Sequence, residues 1–261
     1  MHFTRAIVRP PAANFALGLS GANNGPPDID RALDQHGRYC EALRDCGLQV
    51  THVEADLDYP DGTFVEDAAI VTGRGAILTR PGAPSRTGEI ASVGESLSQF
   101  YSDVQHIVAP GTVDGGDICQ VDDHFLIGVS ARTNQPGAEQ LAEHLRRMNY
   151  TASILDIRAS ASLLHLKTGI AYLGDGVWLA AAGIQEEFLR AGGAGIRERI
   201  AVSAAESYAA NCVRINDTVL LAAGYPQLTA ALEERGYRLV TLQMSEFRKM
   251  DGGLSCLSLR F

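Results

Sequence analysis

The chain ends on Asp251-Gly252-Gly253-Leu254-Ser255-Cys256, which sets a thiol behind two glycines at the start of an expected terminal strand. Glycines let backbone approach closely, and strand ends with their loops are where reactive groups gather. A thiol there can act as a nucleophile if a base and carboxylates join it. His165, within Leu163-Leu164-His165-Leu166-Lys167, could protonate a leaving amine and then deprotonate water. Asp114, ahead of Gly115-Gly116-Asp117, could orient and charge-stabilise the imidazole. Glu66 and Asp67 offer adjacent carboxylates. On a regular strand they point to opposite faces, so one is expected to enter by its side chain and the other to serve through its backbone. A cation held by such acids would stabilise a thiolate, whose unperturbed pKa is near ~8.5. Arg86 and Arg132 each sit where a strand hands over to a helix, and either could clamp a carboxylate bidentately. Every one of these residues also has a plain structural reading: an inert buried cysteine, a core histidine, a turn aspartate, solvated carboxylates and arginines.

Something must bring these scattered residues together, and the sequence repeats itself in a way that can. Four apolar hairpins recur: Asp67–Val71 with Ala76–Leu78, Asp117–Val121 with His124–Ile127, Thr168–Leu173 with Val177–Leu179, and Asn211–Ile215 with Val219–Leu221. A further step of similar length lands on Cys256. Helical patterns follow over Thr87–Tyr101, Gln135–Met148, Gln185–Ala191 and Gln227–Arg235, with Ile29–Cys46 near the start. Extended runs such as Leu48–His52, Val104–Val108 and Arg238–Leu242 come after the helices. The unit is strand, strand, helix, strand, about five times over. The last unit stops after one strand, and the N-terminal strand around Arg5–Val8 can supply its missing partner. The fold class expected is α/β: a five-bladed pseudo-symmetric αβ propeller of ββαβ repeats, closed by pairing of the N- and C-terminal strands, as one catalytic domain over residues 1–261. An ordinary α/β sandwich is the alternative. In the ring, the loops ahead of the hairpins and of Cys256 converge on one channel, and the Gly/Asn/Pro-rich segment Leu17–Pro27 could serve as a lid.

Composition narrows the classes. The chain has 261 residues, 46% hydrophobic and 20% charged, with a formal net charge of −9. That balance argues against a nucleic-acid partner, which needs a basic face. No stretch approaches the roughly 18 apolar residues of a membrane span. The N-terminal segment lacks the apolar run of an export signal, and the five cysteines are odd in number and scattered. Reduced thiols in the cytoplasm are therefore expected, and the absence of CxxC or HxxxH spacing predicts no metal site.

Jointly, Phe64-Val65-Glu66-Asp67, Ile77–Ala83, Asp114-Gly115-Gly116-Asp117-Ile118, Ser130-Ala131-Arg132-Thr133-Asn134, Leu164–Lys167, Ala209–Cys212 and Asp251–Cys256 resemble the guanidino-modifying, amidinotransferase-like superfamily. The likeness is greatest to its dimethylarginine dimethylaminohydrolase family and runs nearly end to end. It implies a cofactor-independent thiol mechanism on a methylated arginine, a small-molecule partner, and release of citrulline. Cys256 would be the nucleophile, with His165 and Asp114 as the acid–base pair. By the same resemblance Asp67 and the Glu66 backbone hold the guanidinium, and Arg86 and Arg132 hold the α-carboxylate. Asp61, with the backbone carbonyls of Leu19 and Met250, receives the α-amino group. Bacterial relatives often carry Glu where this chain has Asp114, so the shorter side chain could touch His165 directly or shift. A deiminase-like enzyme on free arginine and a non-catalytic arginine binder remain as alternatives. The chain leaves no room for the extra helical insertion usual in arginine deiminases, and mere binding would not need sulfur. A homodimer through an exposed strand or helix face is compatible with the sequence.

Overall fold

In the computed structural model, residues 2–160, 163–193 and 195–261 are described. They form five three-stranded sheets. In four of them the hairpin comes first: β3 (Ala69–Thr72) with β4 (Gly75–Leu78), β6 (Ile118–Val121) with β7 (His124–Val129), β9 (Ile170–Gly174) with β10 (Val177–Ala181), and β12 (Val213–Ile215) with β13 (Thr218–Ala222). Two-residue turns close the hairpins. Asp175 and Gly176 both take positive φ (52° and 72°), the backbone that matches strand twist in such a turn. A helix then crosses to a parallel third strand, because parallel neighbours cannot be joined by a tight turn. These helices are α2 (Ile90–Leu97), α3 (Gln135–Arg147), α4 (Glu186–Arg190) and α5 (Pro226–Glu233), leading to β5 (Val104–His106), β8 (Thr151–Asp156), β11 (Glu198–Val202) and β14 (Arg238–Leu242).

The fifth sheet has the same order with the chain cut inside its hairpin. β15 (Leu259–Arg260) pairs antiparallel with β1 (Arg5–Val8), in the register Ala6 with Arg260 and Ile7 with Leu259. β1 then runs parallel to β2 (Gln49–His52) after α1 (Ile29–Asp45). Pairing of the two chain ends is therefore as expected. The middle strand of every sheet is buried almost throughout, while the parallel edge strands stay partly open. Burial on both faces explains why β4, β10 and β13 read as unbroken apolar runs rather than alternating ones. Residues from all five first strands, β3, β6, β9, β12 and β15, line one cavity of about 150 Å3. No helix among the described residues is long and apolar enough to cross a membrane.

Three expectations need correction. Cys256 lies on a 3-10 turn, Ser255–Leu257, and the terminal strand starts only at Leu259. Glu66 and Asp67 lie on the equivalent turn Val65–Ala68, not on a strand, so strand alternation does not govern them. The helix expected over Thr87–Tyr101 is confined to Ile90–Leu97, and a separate turn at Pro84–Arg86 precedes it. A short helix, α6 (Ser245–Arg248), was not visible as a pattern. The turns recur: Gly115–Asp117, Leu166–Thr168 and Ala204–Ala210 precede the other three hairpins. Neighbouring turns pack on one another, and the last packs on the first. The last step is made by Asn211, whose amide donates to Ser255 Oγ (3.1 Å) and whose carbonyl accepts from Ser255 N–H (2.9 Å).

Candidate active site

Three of the turns carry, or are led into by, one member each of a polar cluster: Asp67, Asp114 and His165. His165 is nearly buried, and its Nε2 meets Asp114 Oδ2 at 3.2 Å. Asp114 is fully buried; its other oxygen accepts from Gly82 N–H at 2.7 Å. The contact that sequence left open between the shorter Asp and the imidazole is therefore direct. Asp67 completes a triangle: Asp67, Asp114 and His165 each place one polar atom within 4.8 Å of the others. Asp67 Oδ1 accepts from Gly116 N–H (2.8 Å) and Oδ2 from Arg86 Nη1 (2.7 Å).

This environment sets the proton affinities. Burial alone would lower the His165 pKa, but Asp67, then Asp114 and Asp117, outweigh it and hold the ring at about 9. His165 is therefore an imidazolium at neutral pH, ready to give a proton. Burial also weighs against ionised Asp67, yet the charges of His165 and Arg86 keep it below the usual carboxylate range. Cys256 is driven the other way. Burial first, then Glu66 and Asp67, push its thiol up to about 12; Gly253 N–H, donating to Sγ at 3.4 Å, and Lys167 oppose this only in part. The unliganded thiol thus needs an added cation to ionise near neutrality.

The two arginines differ. Arg86, expected at a helix entry, is buried and heavily engaged. It pairs with Glu89 through Nε and Nη2, with Asp67 through Nη1, and reaches the Phe64 carbonyl at 3.3 Å. Arg132 is half-buried, and its Nη1 is buried without a hydrogen-bond partner among the described residues. An unmet buried donor is costly, so Arg132 is the arginine with capacity to spare for an anion. Asp61 is buried beside Gly18 and Met250 and accepts from Leu19 N–H with both oxygens at 3.0 Å. Leu19 and Met250 are thereby brought to the same corner as Asp61.

Glu66 turns its side chain away into a separate network. It meets Lys167 Nζ at 2.6 Å, Ser255 Oγ at 2.8 Å and Arg260 Nη2 at 3.3 Å. Sequence reading gave no role to Lys167, Arg260, Ser255, Glu89 or Asp251. Lys167 is one of only two lysines, and Asp251 and Ser255 lie in the motif that ends on Cys256; Arg260 and Glu89 carry no local signal. Asp251 holds the Gly/Asn-rich segment, accepting from Gly21 N–H (2.6 Å), Ala22 N–H (3.2 Å) and Ser20 Oγ (3.2 Å). A cavity of about 510 Å3 opens between that segment and the third and fourth turns, lined by Ala22, Leu164, Thr168, Tyr208 and Gly253 among others.

A family model described as arginine deiminase matches residues 57–194. The N(G),N(G)-dimethylarginine dimethylaminohydrolase of Pseudomonas aeruginosa is 43% identical over 99% of this chain and 100% of its own length. The chain belongs to the dimethylarginine dimethylaminohydrolase family. The enzyme of that name from Streptomyces coelicolor is 32% identical, over 98% of this chain and 96% of its own. Among solved structures, a cysteine-to-serine mutant of the Pseudomonas dimethylarginine dimethylaminohydrolase complexed with citrulline superposes with a TM-score of 0.94, at 42% identity and full coverage of both chains. The α/β fold of five small sheets is thus that of the dimethylarginine dimethylaminohydrolases.

Proposed function

We propose that this chain hydrolyses Nω,Nω-dimethyl-L-arginine, and Nω-methyl-L-arginine, to L-citrulline and the corresponding amine. The observation that carries the mechanism is the convergence of Asp67, Asp114 and an imidazolium-holding His165 near a thiol that ionises only beside a cation. The substrate guanidinium is that cation. Held by Asp67 and the Glu66 carbonyl, it lowers the thiol pKa as it binds, so the thiol releases its proton to solvent and the nucleophile is made only when there is something to attack.

The Cys256 thiolate adds to the guanidinium carbon, forming a C–S bond. His165 then gives its proton to the dimethylamine nitrogen as that C–N bond breaks. A covalent S-alkylthiouronium remains on Cys256. Neutral His165, oriented by Asp114, takes a proton from water; the hydroxide adds to the same carbon, the C–S bond breaks as the hydroxyl proton passes to the departing sulfur, and citrulline leaves. General acid–base help of this kind is typically worth ~10²–10⁴ in rate. Arg132 binds the α-carboxylate through its unmet donor, and Arg86 contributes what its pairs with Asp67 and Glu89 leave free. Asp61, with the carbonyls of Leu19 and Met250, takes the α-ammonium. The reading includes no cofactor, a cytoplasmic setting for the five free cysteines, and a single catalytic unit. In that unit the five sheets are blades closed around the first strands.

The test is mass spectrometry of enzyme quenched during turnover of asymmetric dimethylarginine. A thiouronium adduct on the Cys256 peptide, with citrulline accumulating, is expected. Citrulline from free arginine in preference to dimethylarginine would replace this reading with the deiminase one.

A further inference from the structure

Asp117 takes no part in the mechanism, yet it is fully buried and saturated with directed contacts. Its Oδ1 accepts from Leu166 N–H (3.1 Å), the first peptide after His165. Its Oδ2 accepts from Ser130 Oγ–H at 2.6 Å. That same Ser130 oxygen accepts from the N–H groups of Arg132 (2.9 Å) and Thr133 (3.1 Å). Thr133 Oγ1 in turn accepts from Asp114 N–H (3.1 Å). One carboxylate therefore ties together three parts drawn from two sheets: the His165 turn ahead of β9, and the Arg132 loop and Asp114 backbone that flank the β6–β7 hairpin. A buried network of this kind holds geometry only when every member is satisfied.

We infer that Asp117, acting through Ser130, is the positioning residue that sets the spacing between the acid–base imidazole and the carboxylate-binding Arg132. The inference rests on the proposed roles of those two groups. The two arms are separable. Ser130 carries the Arg132 arm alone, and Asp117 carries both. With Asp117 changed to Asn, the amide can still accept from Leu166 N–H. Its NH2 would then face Ser130 Oγ, which already accepts two N–H groups, and the Ser130 proton would lose its acceptor. The Asp117 charge also supports the imidazolium.

The experiment compares full-length wild type, Ser130→Ala and Asp117→Asn on Nω,Nω-dimethyl-L-arginine and on its analogue lacking the α-carboxylate. Ser130→Ala should raise KM for dimethylarginine about 10-fold, with kcat within about threefold, because one charge-assisted contact is loosened rather than lost. Its kcat/KM for the decarboxylated analogue should match wild type. Asp117→Asn should raise KM similarly, lower kcat about 10-fold, and shift the acid limb of kcat/KM to lower pH. Equal losses by Ser130→Ala on both substrates, or kinetics unchanged in it, would overturn the inference. If Asp117→Asn fails to fold, the Ser130→Ala comparison decides alone. Failure of wild type to release citrulline from dimethylarginine would instead strike the proposed function.

Discussion

Gly116→Ala puts the geometry of the acid–base pair to a quantitative test. Gly116 is not at a positive φ, so alanine fits its backbone without strain. Space is the obstacle. A Cβ there would lie 2.6 Å from His165 Nδ1, 2.8 Å from Cγ and 3.1 Å from Cβ. Ordinary contact needs about 3.5 Å, so the ring must retreat by about 0.9 Å. The bond to Asp114, already 3.2 Å, cannot survive a shift of that size in line. Misplacement of a catalytic group by about 1 Å costs on the order of 10² in rate, within the ~10²–10⁴ that acid–base catalysis supplies. Steady-state citrulline production should therefore show kcat reduced about 100-fold. KM should change little, because Arg132 and Asp61 are not displaced. Circular dichroism and the thermal midpoint establish that the variant is folded. A folded Gly116→Ala enzyme with kcat within threefold of wild type would refute the idea that His165 works from the position seen here.

Cys256→Ser should abolish turnover while the protein stays folded and binds dimethylarginine, measured by calorimetry; residual kcat above about 1% of wild type would remove the nucleophile assignment. Arg132→Ala should raise KM about 10- to 100-fold with kcat nearly kept, since a hydrogen bond to a charged group contributes ~1.5–3 kcal/mol; an unchanged KM would mean the carboxylate binds elsewhere. The pH dependence follows from a thiol near 12 and an imidazole near 9. The productive free enzyme holds one proton between the two groups, so below pH 9 one proton too many is bound. kcat/KM, which reports the free enzyme, should rise about tenfold per pH unit up to about pH 9 and then level; a flat profile from pH 6 to 9 contradicts these affinities. Asp251→Ala removes the acceptor for Ser20, Gly21 and Ala22. Limited proteolysis should then cut within residues 17–27 markedly faster than in wild type, and equal rates would show that Asp251 does not hold this segment.

Local pattern alone determined much of this protein. Apolar runs and the turn residues between them placed four hairpins, the helices after them and the strand at Arg5–Val8, because those signals depend on neighbours a few positions apart. The repeat spacing then showed that Asp67, Asp117, Thr168, Asn211 and Cys256 occupy equivalent places, which is why the functional loops could be named. Tertiary structure decided what each side chain does there. Glu66 and Asp67 are adjacent on one tight turn, but one faces Lys167, Arg260 and Ser255 while the other faces Arg86, Gly116 and His165. Arg86 and Arg132 look alike in sequence; burial against Asp67 and Glu89 commits the first and leaves the second with an unmet donor. Proton affinity was invisible for the same reason. It is a sum over charges and desolvation from residues far apart in the chain, and only the packing of five turns against one another fixes the distances in that sum.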